Sequence, residues 1–168
     1  MTSFVFPGQG SQFVGMAKDF YDNFSIVKRT FEEIQDYVNI DLKEIIFEDK
    51  NKLINLTNYT QIAIFTASVS IYRTYEENSD LNIHNINFML GHSLGEYTAL
   101  ACSQKLNLKN CSEILKKRGE LMNSAVPPNT TGMAALIGSN ANDVQVLIDD
   151  NKLDLEIAND NSPSQIVI

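Results

Sequence analysis

The sequence predicts an α/β fold, and three observations support this prediction. Residues 91–95, Gly-His-Ser-Leu-Gly, form a Gly-x-Ser-x-Gly motif directly after the apolar run 86–90. Strand-like runs alternate along the chain with segments of helical periodicity. A chain of 168 residues with 43% hydrophobic residues is long enough to bury a core. Such a motif between a strand and a helix is typical of a nucleophile elbow, whose glycines permit the sharp turn that exposes the serine.

The N-terminal part begins with a predicted strand at 4–6, which ends at the breaker-rich turn 7–10 (Pro-Gly-Gln-Gly). Asp41 and Glu44 fit a capping box that opens a short helix through Phe47. A mostly apolar helix is predicted from Thr57 to Tyr75. One helical face is predicted by four apolar residues at spacings of four, three and four: Val27, Phe31, Ile34 and Val38.

The middle of the chain supplies the elbow and a second amphipathic helix. A polar loop at 78–85 leads into the strand 86–90, and residues 96–102 continue from the motif as a buried helix. The amphipathic helix runs from about Asn110 to Ala125. Pro127-Pro128 follows it, and the segment 127–131 is the best candidate boundary. We therefore expect one domain at 1–127 and the beginning of another at 128–168.

The C-terminal part predicts a strand at 133–137, a helix capped near Asn140, a strand at 155–158 and a turn at 159–164. The last residues, Gln165–Ile168, form an apolar β-type run without a following turn. A complete domain seldom leaves such a strand unprotected, so we expect an N-terminal piece of a longer protein. The alternative is a short terminal strand in the centre of a sheet.

Charge and composition exclude several function classes. The net charge of −8 disfavours non-specific nucleic-acid binding. The N-terminus has no basic segment of a signal peptide, and no apolar run reaches the length of a membrane span. Cys102 and Cys111 indicate free thiols and a cytoplasmic protein, and neither metal-ligand nor phosphate-cradling spacing occurs. We therefore expect no metal, no cofactor and no membrane partner.

Ser93 is the candidate nucleophile, and it needs a base and an oxyanion hole. Leu94 offers a backbone N–H at the start of the following helix, where the helix dipole favours a negative charge. Gln9, in the turn after the first strand, is the candidate for a second N–H. The alternative for residues 7–10 is an ordinary strand-to-helix turn.

Arg118 lies on the same predicted helical face as Cys111, Leu115 and Met122. An unpaired guanidinium on a core-facing stripe is costly. It either pairs with a buried structural carboxylate or binds an anionic ligand, and a carboxylate would fit its two-pronged geometry.

The two histidines of the chain, His84 and His92, both precede Ser93. Hydrolases of the serine–acid–histidine order need a histidine after the nucleophile. His92 is a poor base for its neighbour because adjacent side chains diverge at a tight turn, and His84 lies in the polar loop.

Four motifs in register along the whole chain resemble the malonyl-CoA:acyl-carrier-protein transacylase family. They are Phe6-Pro7-Gly8-Gln9-Gly10-Ser11-Gln12 with Gly15-Met16, Gly91-His92-Ser93-Leu94-Gly95-Glu96-Tyr97, Arg118-Gly119 with Met122, and Asn161-Ser162-Pro163-x-Gln165. The resemblance implies an α/β-hydrolase-like large subdomain and the start of an inserted ferredoxin-like small subdomain.

The resemblance also implies transfer of malonyl from coenzyme A to the phosphopantetheine of acyl carrier protein, for fatty-acid biosynthesis. Ser93 resembles the nucleophile, Gln9 and Leu94 the oxyanion donors, and Arg118 the arginine that binds the malonyl carboxylate. Ser164 stands where the family usually has glycine. The family's histidine lies beyond Ile168, so a C-terminal half is an expected partner.

Two other functions remain open. One is an inactive remnant or split-gene half that only binds coenzyme A, the carrier or a partner half. The other is an esterase, or an acyltransferase with another acyl preference. Arg118 argues against an esterase for neutral acyl groups, since a buried guanidinium disfavours an uncharged chain. A separate candidate is a lysine cluster (Lys105, Lys109, Lys116, Lys117) that could receive coenzyme A phosphates or an acidic carrier, or simply be a solvated helix face.

Overall fold

The computed structural model describes residues 2–79, 86–127 and 130–168. These residues form two compact units, Met1–Ala125 and Val126–Ile168. His84 and most of the predicted polar loop lie outside the described residues. Among the described residues, no helix combines the length and the apolar character that crossing a bilayer requires.

The first unit is a two-stranded parallel sheet with helices packed against it. Its elements in chain order are β1 (Thr2–Phe6), α1 (Lys18–Asn23), α2 (Ser25–Val38), a π-helical turn (Glu44–Glu48), α3 (Thr57–Asn78), β2 (Ile86–Gly91), α4 (Leu94–Cys102) and α5 (Leu108–Ser124). The predicted strands and the three longest helices are confirmed. The sequence analysis does not predict α1. The short helix predicted after Asp41 is a single π-helical turn, although Asp41 Oδ1 does accept the Glu44 N–H at 3.1 Å.

The long helix α3 is the centre of the first unit and contacts α2, α4 and α5. Its buried apolar residues, such as Ile62, Phe65 and Val69, lie on several sides of the helix. The predicted stripe on α2 is buried as expected: Val27, Phe31, Ile34 and Val38. Because α3 is surrounded, a buried polar side chain on it needs a hydrogen-bond partner inside the unit. Ser70 Oγ and Tyr72 Oη have no such partner among the described residues.

The two faces of the β1–β2 pair differ. Phe4 and Phe6 pack edge-on against Tyr72 of α3, with ring centroids 5.4 and 6.3 Å from the Tyr72 ring. The opposite face carries Val5 with Leu90 as its register partner, and neighbouring Phe88. These three side chains are 72%, 54% and 55% exposed, respectively. Helices therefore cover one face of this sheet, while an apolar surface is exposed on the other.

The second unit contains β3 (Ala135–Ile137), α6 (Ala141–Asn151), β4 (Asn159–Ser162) and β5 (Gln165–Val167). The strands form an antiparallel sheet in the order β3-β5-β4. Its small core is Val144, Ile148 and Ile166. The predicted cap of α6 is confirmed, because Asn140 Oδ1 accepts the Asp143 N–H at 3.0 Å.

Two predictions for the second unit are wrong. The strand lies at 159–162 rather than at 155–158. Residues 159–162 pair with β5, and the turn falls at Pro163–Ser164. The last strand is not an open apolar edge. It is paired on both sides, and Ile166 is fully buried. The last strand is therefore the central strand of this sheet.

Candidate active site

Ser93 lies at a strained turn between β2 and α4. Its backbone has φ 54° and ψ −110°, a conformation that costs an L-residue of order 1–3 kcal/mol. Two hydrogen bonds form tight turns around Ser93. The Gly95 N–H donates to His92 O at 2.9 Å, and the Glu96 N–H donates to Ser93 O at 3.1 Å. A strained residue that joins a strand to a helix is the backbone geometry of a nucleophile elbow.

The end of β1 fits closely against this elbow. The His92 N–H donates to Phe6 O at 3.1 Å, and a Cβ at Gly95 would overlap with Phe6 O. The His92 ring lies against the following turn, because a Cβ at Gly8 would be 2.5 Å from His92 Nδ1. The turn that carries Gln9 is therefore positioned directly beside the elbow.

The two candidate oxyanion donors are Leu94 in the elbow and Gln9 in the turn after β1. Leu94 is the fully buried first residue of α4, and its N–H has no acceptor within that helix. Gln9 is tied to the start of α3 through its side chain, whose Nε2 donates to Thr57 Oγ1 at 3.2 Å. The assignment of their N–H groups to an oxyanion hole stays a prediction.

Arg118 reaches Ser93 directly. Its Nη2 donates to Ser93 Oγ at 2.9 Å, and its Nη1 donates to Gln61 Oε1 at 2.6 Å. The guanidinium is half-buried and has no carboxylate partner within 4 Å among the residues that the structure describes. A cation beside the candidate nucleophile, with neutral partners only, is suited to an anionic ligand.

Gln61 is the site residue that the sequence reading missed. It is 1% exposed, and its Nε2 lies 3.2 Å from Met122 Sδ. The guanidinium must face the amide oxygen because its N–H groups can only donate. The available signal was a long polar side chain inside the apolar helix 57–75, where burial requires a hydrogen-bond partner.

The buried face of α5 differs from the predicted one. Cys111 and Leu115 are buried as expected, but Met122 is 46% exposed. The face turns towards Gly119, where a Cβ would lie 2.9 Å from Thr57 O and from Asn58 Cα. This close approach of α5 to α3 places Arg118 at the border of the buried face, next to Gln61.

The other reactive side chains are poor competitors for Ser93. Cys102 and Cys111 are free and buried. Burial raises the pKa of the Cys111 thiol to about 11 and that of Cys102 further. Neither thiol is ionised near neutral pH, so neither is a ready nucleophile.

The predicted lysine cluster, of which Lys109, Lys116 and Lys117 lie on α5, is not a uniform basic patch. Lys116 Nζ donates to Val38 O at 2.9 Å. Lys109 and Lys117 lie 3.8 and 3.9 Å from Glu113 and Glu120. Exposed pairs of this kind contribute little to stability, but they reduce the local positive charge.

Comparison with known proteins identifies relatives along almost the whole chain. The family model described as "Acyl transferase domain" matches residues 3–168. The chain is 38% identical over 170 residues to the malonyl CoA-acyl carrier protein transacylase of Bacillus subtilis (strain 168), covering 99% of this chain and 52% of that protein. It is 39% identical over 169 residues to the Haemophilus influenzae protein of the same name, covering 98% and 53%.

The chain is also similar to solved structures of malonyltransferases. An acyl-carrier-protein-S-malonyltransferase from Bartonella henselae has a TM-score of 0.90 at 37% identity, covering 99% of this chain and 54% of that one. A malonyl-transacylase in complex with a type II polyketide synthase acyl-carrier protein has a TM-score of 0.88 at 35% identity, covering 99% and 53%. The chain spans about half the length of these relatives.

Proposed function

The chain belongs to the acyl transferase domain family, and on this premise we propose that it transfers malonyl from coenzyme A to acyl carrier protein, for fatty-acid biosynthesis. The observation that carries the proposal is the 2.9 Å contact between Arg118 Nη2 and Ser93 Oγ. It places a cation within the span of a short acyl chain bound to the serine. A dicarboxylic acyl group has a negative charge at that position, whereas an acetyl group has none.

The reaction proceeds in two halves. Ser93 Oγ forms a bond to the thioester carbonyl carbon, its proton goes to a base, and the carbon–sulfur bond breaks to release coenzyme A. The carrier's phosphopantetheine thiol then attacks the malonyl-serine ester and restores Ser93. Both tetrahedral intermediates develop an oxyanion, which the N–H groups of Leu94 and Gln9 would stabilise. The residues require no further cofactor for these steps.

The base is proposed to come from outside these 168 residues, since no histidine follows Ser93 in them. A C-terminal half that carries it would also explain the uncovered sheet face. Val5, Phe88 and Leu90 are exposed there, whereas both faces of parallel sheets are normally covered. An inactive half that only binds a partner is the second candidate, because no base for Ser93 is identified within these 168 residues.

The finer architecture is part of the same proposal. We assign residues 1–127 to an α/β-hydrolase-like large subdomain and 128–168 to part of a ferredoxin-like small one. The parallel β1–β2 pair with its elbow supports the first assignment, and an antiparallel sheet with one helix supports the second. We further propose a cytoplasmic location, which suits two free cysteines.

The decisive experiment measures acyl selectivity after the chain is combined with a C-terminal fragment of a family member. Arg118→Ala should reduce malonyl transfer by about 100-fold or more, because a charge-assisted contact to the carboxylate is lost. Acetyl transfer should not decrease, because an acetyl group has no carboxylate for Arg118 to bind. Arg29→Ala is the matched control, since Arg29 is exposed and pairs with Glu77.

Equal losses for malonyl and acetyl transfer would make Arg118 structural and refute the malonyl assignment. If no transfer occurs with either acyl group although the two parts bind each other, the chain is an inactive binding half.

A further inference from the structure

Arg118 divides its donors between one fixed and one exchangeable acceptor. Gln61 is the fixed one, because it is 1% exposed and its amide is also held beside Met122 Sδ. Ser93 is the exchangeable one, since its hydroxyl lies at the half-buried elbow. The contact to Nη1 is 2.6 Å and the contact to Nη2 is 2.9 Å.

A bound carboxylate would compete with Ser93 for the same nitrogen. A guanidinium can hold a carboxylate through two parallel N–H groups either at its end, with Nη1 and Nη2, or at its side, with Nε and Nη2. Both arrangements use one of the two N–H groups of Nη2, the atom that contacts Ser93 Oγ. A carboxylate that approaches the guanidinium from the side of Ser93 therefore competes with the hydroxyl for the same N–H.

The hydrogen bond also affects the nucleophile. An oxygen lone pair that accepts a charge-assisted hydrogen bond is less available to attack a carbonyl carbon. A carboxylate that draws Nη2 away returns this lone pair, whereas a neutral acyl group leaves the hydrogen bond in place.

We propose that Arg118 restrains Ser93 in the empty site and that a substrate carboxylate releases it. Recognition of the carboxylate and availability of the nucleophile are then coupled through one guanidinium. The inference rests on the proposed malonyl transfer, and it adds that selectivity arises from the state of Ser93 as well as from affinity.

The test measures equilibrium binding of free malonate to the full 168-residue chain by titration calorimetry, which needs no catalytic base. Removing the competitor should strengthen binding, so Ser93→Ala should lower the malonate Kd by about tenfold, the usual net worth of one hydrogen bond to a charged group. Ser93→Gly, which suits the positive φ, should do the same and guards against misfolding of the first variant.

Three controls separate the possible outcomes. Ser103→Ala should leave the Kd unchanged, because its hydroxyl donates to Leu100 O and lies outside the site. Malonamide, which has the same shape and no charge, should not respond to Ser93→Ala. Arg118→Ala should abolish malonate binding.

Each contrary result has a definite meaning. Malonate binding that depends on Arg118 but is unchanged or weaker in both Ser93 variants overturns the restraint and leaves the proposed function standing. Malonate binding that is undetectable, or independent of Arg118, overturns the proposed function together with the restraint.

Discussion

The two sides of the candidate site hold their functional groups in different ways. We call the β1 turn and the Ser93 turn (residues 6–10 and 91–96) the elbow side, and the contact of α3 with α5 around Gln61, Arg118 and Gly119 the arginine side. On the elbow side, backbone conformation and backbone hydrogen bonds between adjacent segments position Ser93. On the arginine side, a buried amide positions a long side chain. The difference shows that the nucleophile depends on local geometry and the cation on helix packing.

The largest expected effect concerns Ser93 itself. In the chain combined with a C-terminal fragment, Ser93→Ala should reduce malonyl transfer by about 1,000-fold or more, because only binding and the oxyanion donors remain. Intact-mass measurement should detect a malonyl adduct on the unsubstituted chain and on Ser103→Ala. A malonyl adduct on Ser93→Ala would show that Ser93 is not the nucleophile.

The next effect tests the backbone contact of the elbow side. Gly95→Ala places a methyl group onto Phe6 O, so β1 and α4 must separate. We expect a loss of about 3 kcal/mol in the free energy of unfolding, the upper range for overpacking, together with most of the transfer activity. Chemical denaturation measures the first quantity.

The matched substitution for that measurement is Gly132→Ala, because a Cβ at Gly132 has no neighbour within 4 Å. Its stability should stay within about 0.5 kcal/mol of the unsubstituted chain. Equal stabilities for the two variants would show that the elbow tolerates a wider separation.

A smaller effect is expected from the corresponding glycine on the arginine side. Gly119→Ala brings a methyl group to 2.9 Å from Thr57 O and Asn58 Cα. Alanine's better helix propensity, about 1 kcal/mol, offsets part of that strain. We expect about 1 kcal/mol of destabilisation and a larger KM for malonyl-CoA as Arg118 shifts. A change in kcat alone would mean that the two sides are not separable.

The smallest effect is a gain in stability. Ser93→Gly should raise the free energy of unfolding by about 0.5 kcal/mol, because the strain relieved at φ 54° exceeds the backbone entropy that glycine loses on folding. Ser93→Ala keeps the Cβ and should show no such gain. If both variants have the same stability, the elbow stores no strain.

In the second unit, the sequence does not predict which segments pair in the sheet. The sequence predicts the helix and its Asn140 cap, but it predicts a turn at 159–162 because Asn, Asp and Ser dominate this segment. Its pairing with β5 overrides that local preference. The same pairing protects the last strand, so an apolar terminus was a poor guide to an exposed edge.

The sequence by itself determined the elbow and the buried stripe of α2, since both depend on residues close together in the chain. Gly91, Ser93 and Gly95 specify a turn through their own backbone requirements. Only the tertiary structure decided which acceptors Arg118 has. Gln61 and Ser93 lie 57 and 25 residues away from it. Periodicity predicts which face of a helix is buried but not which side chains of another helix face it, so these contacts depend on how α3 packs against α5.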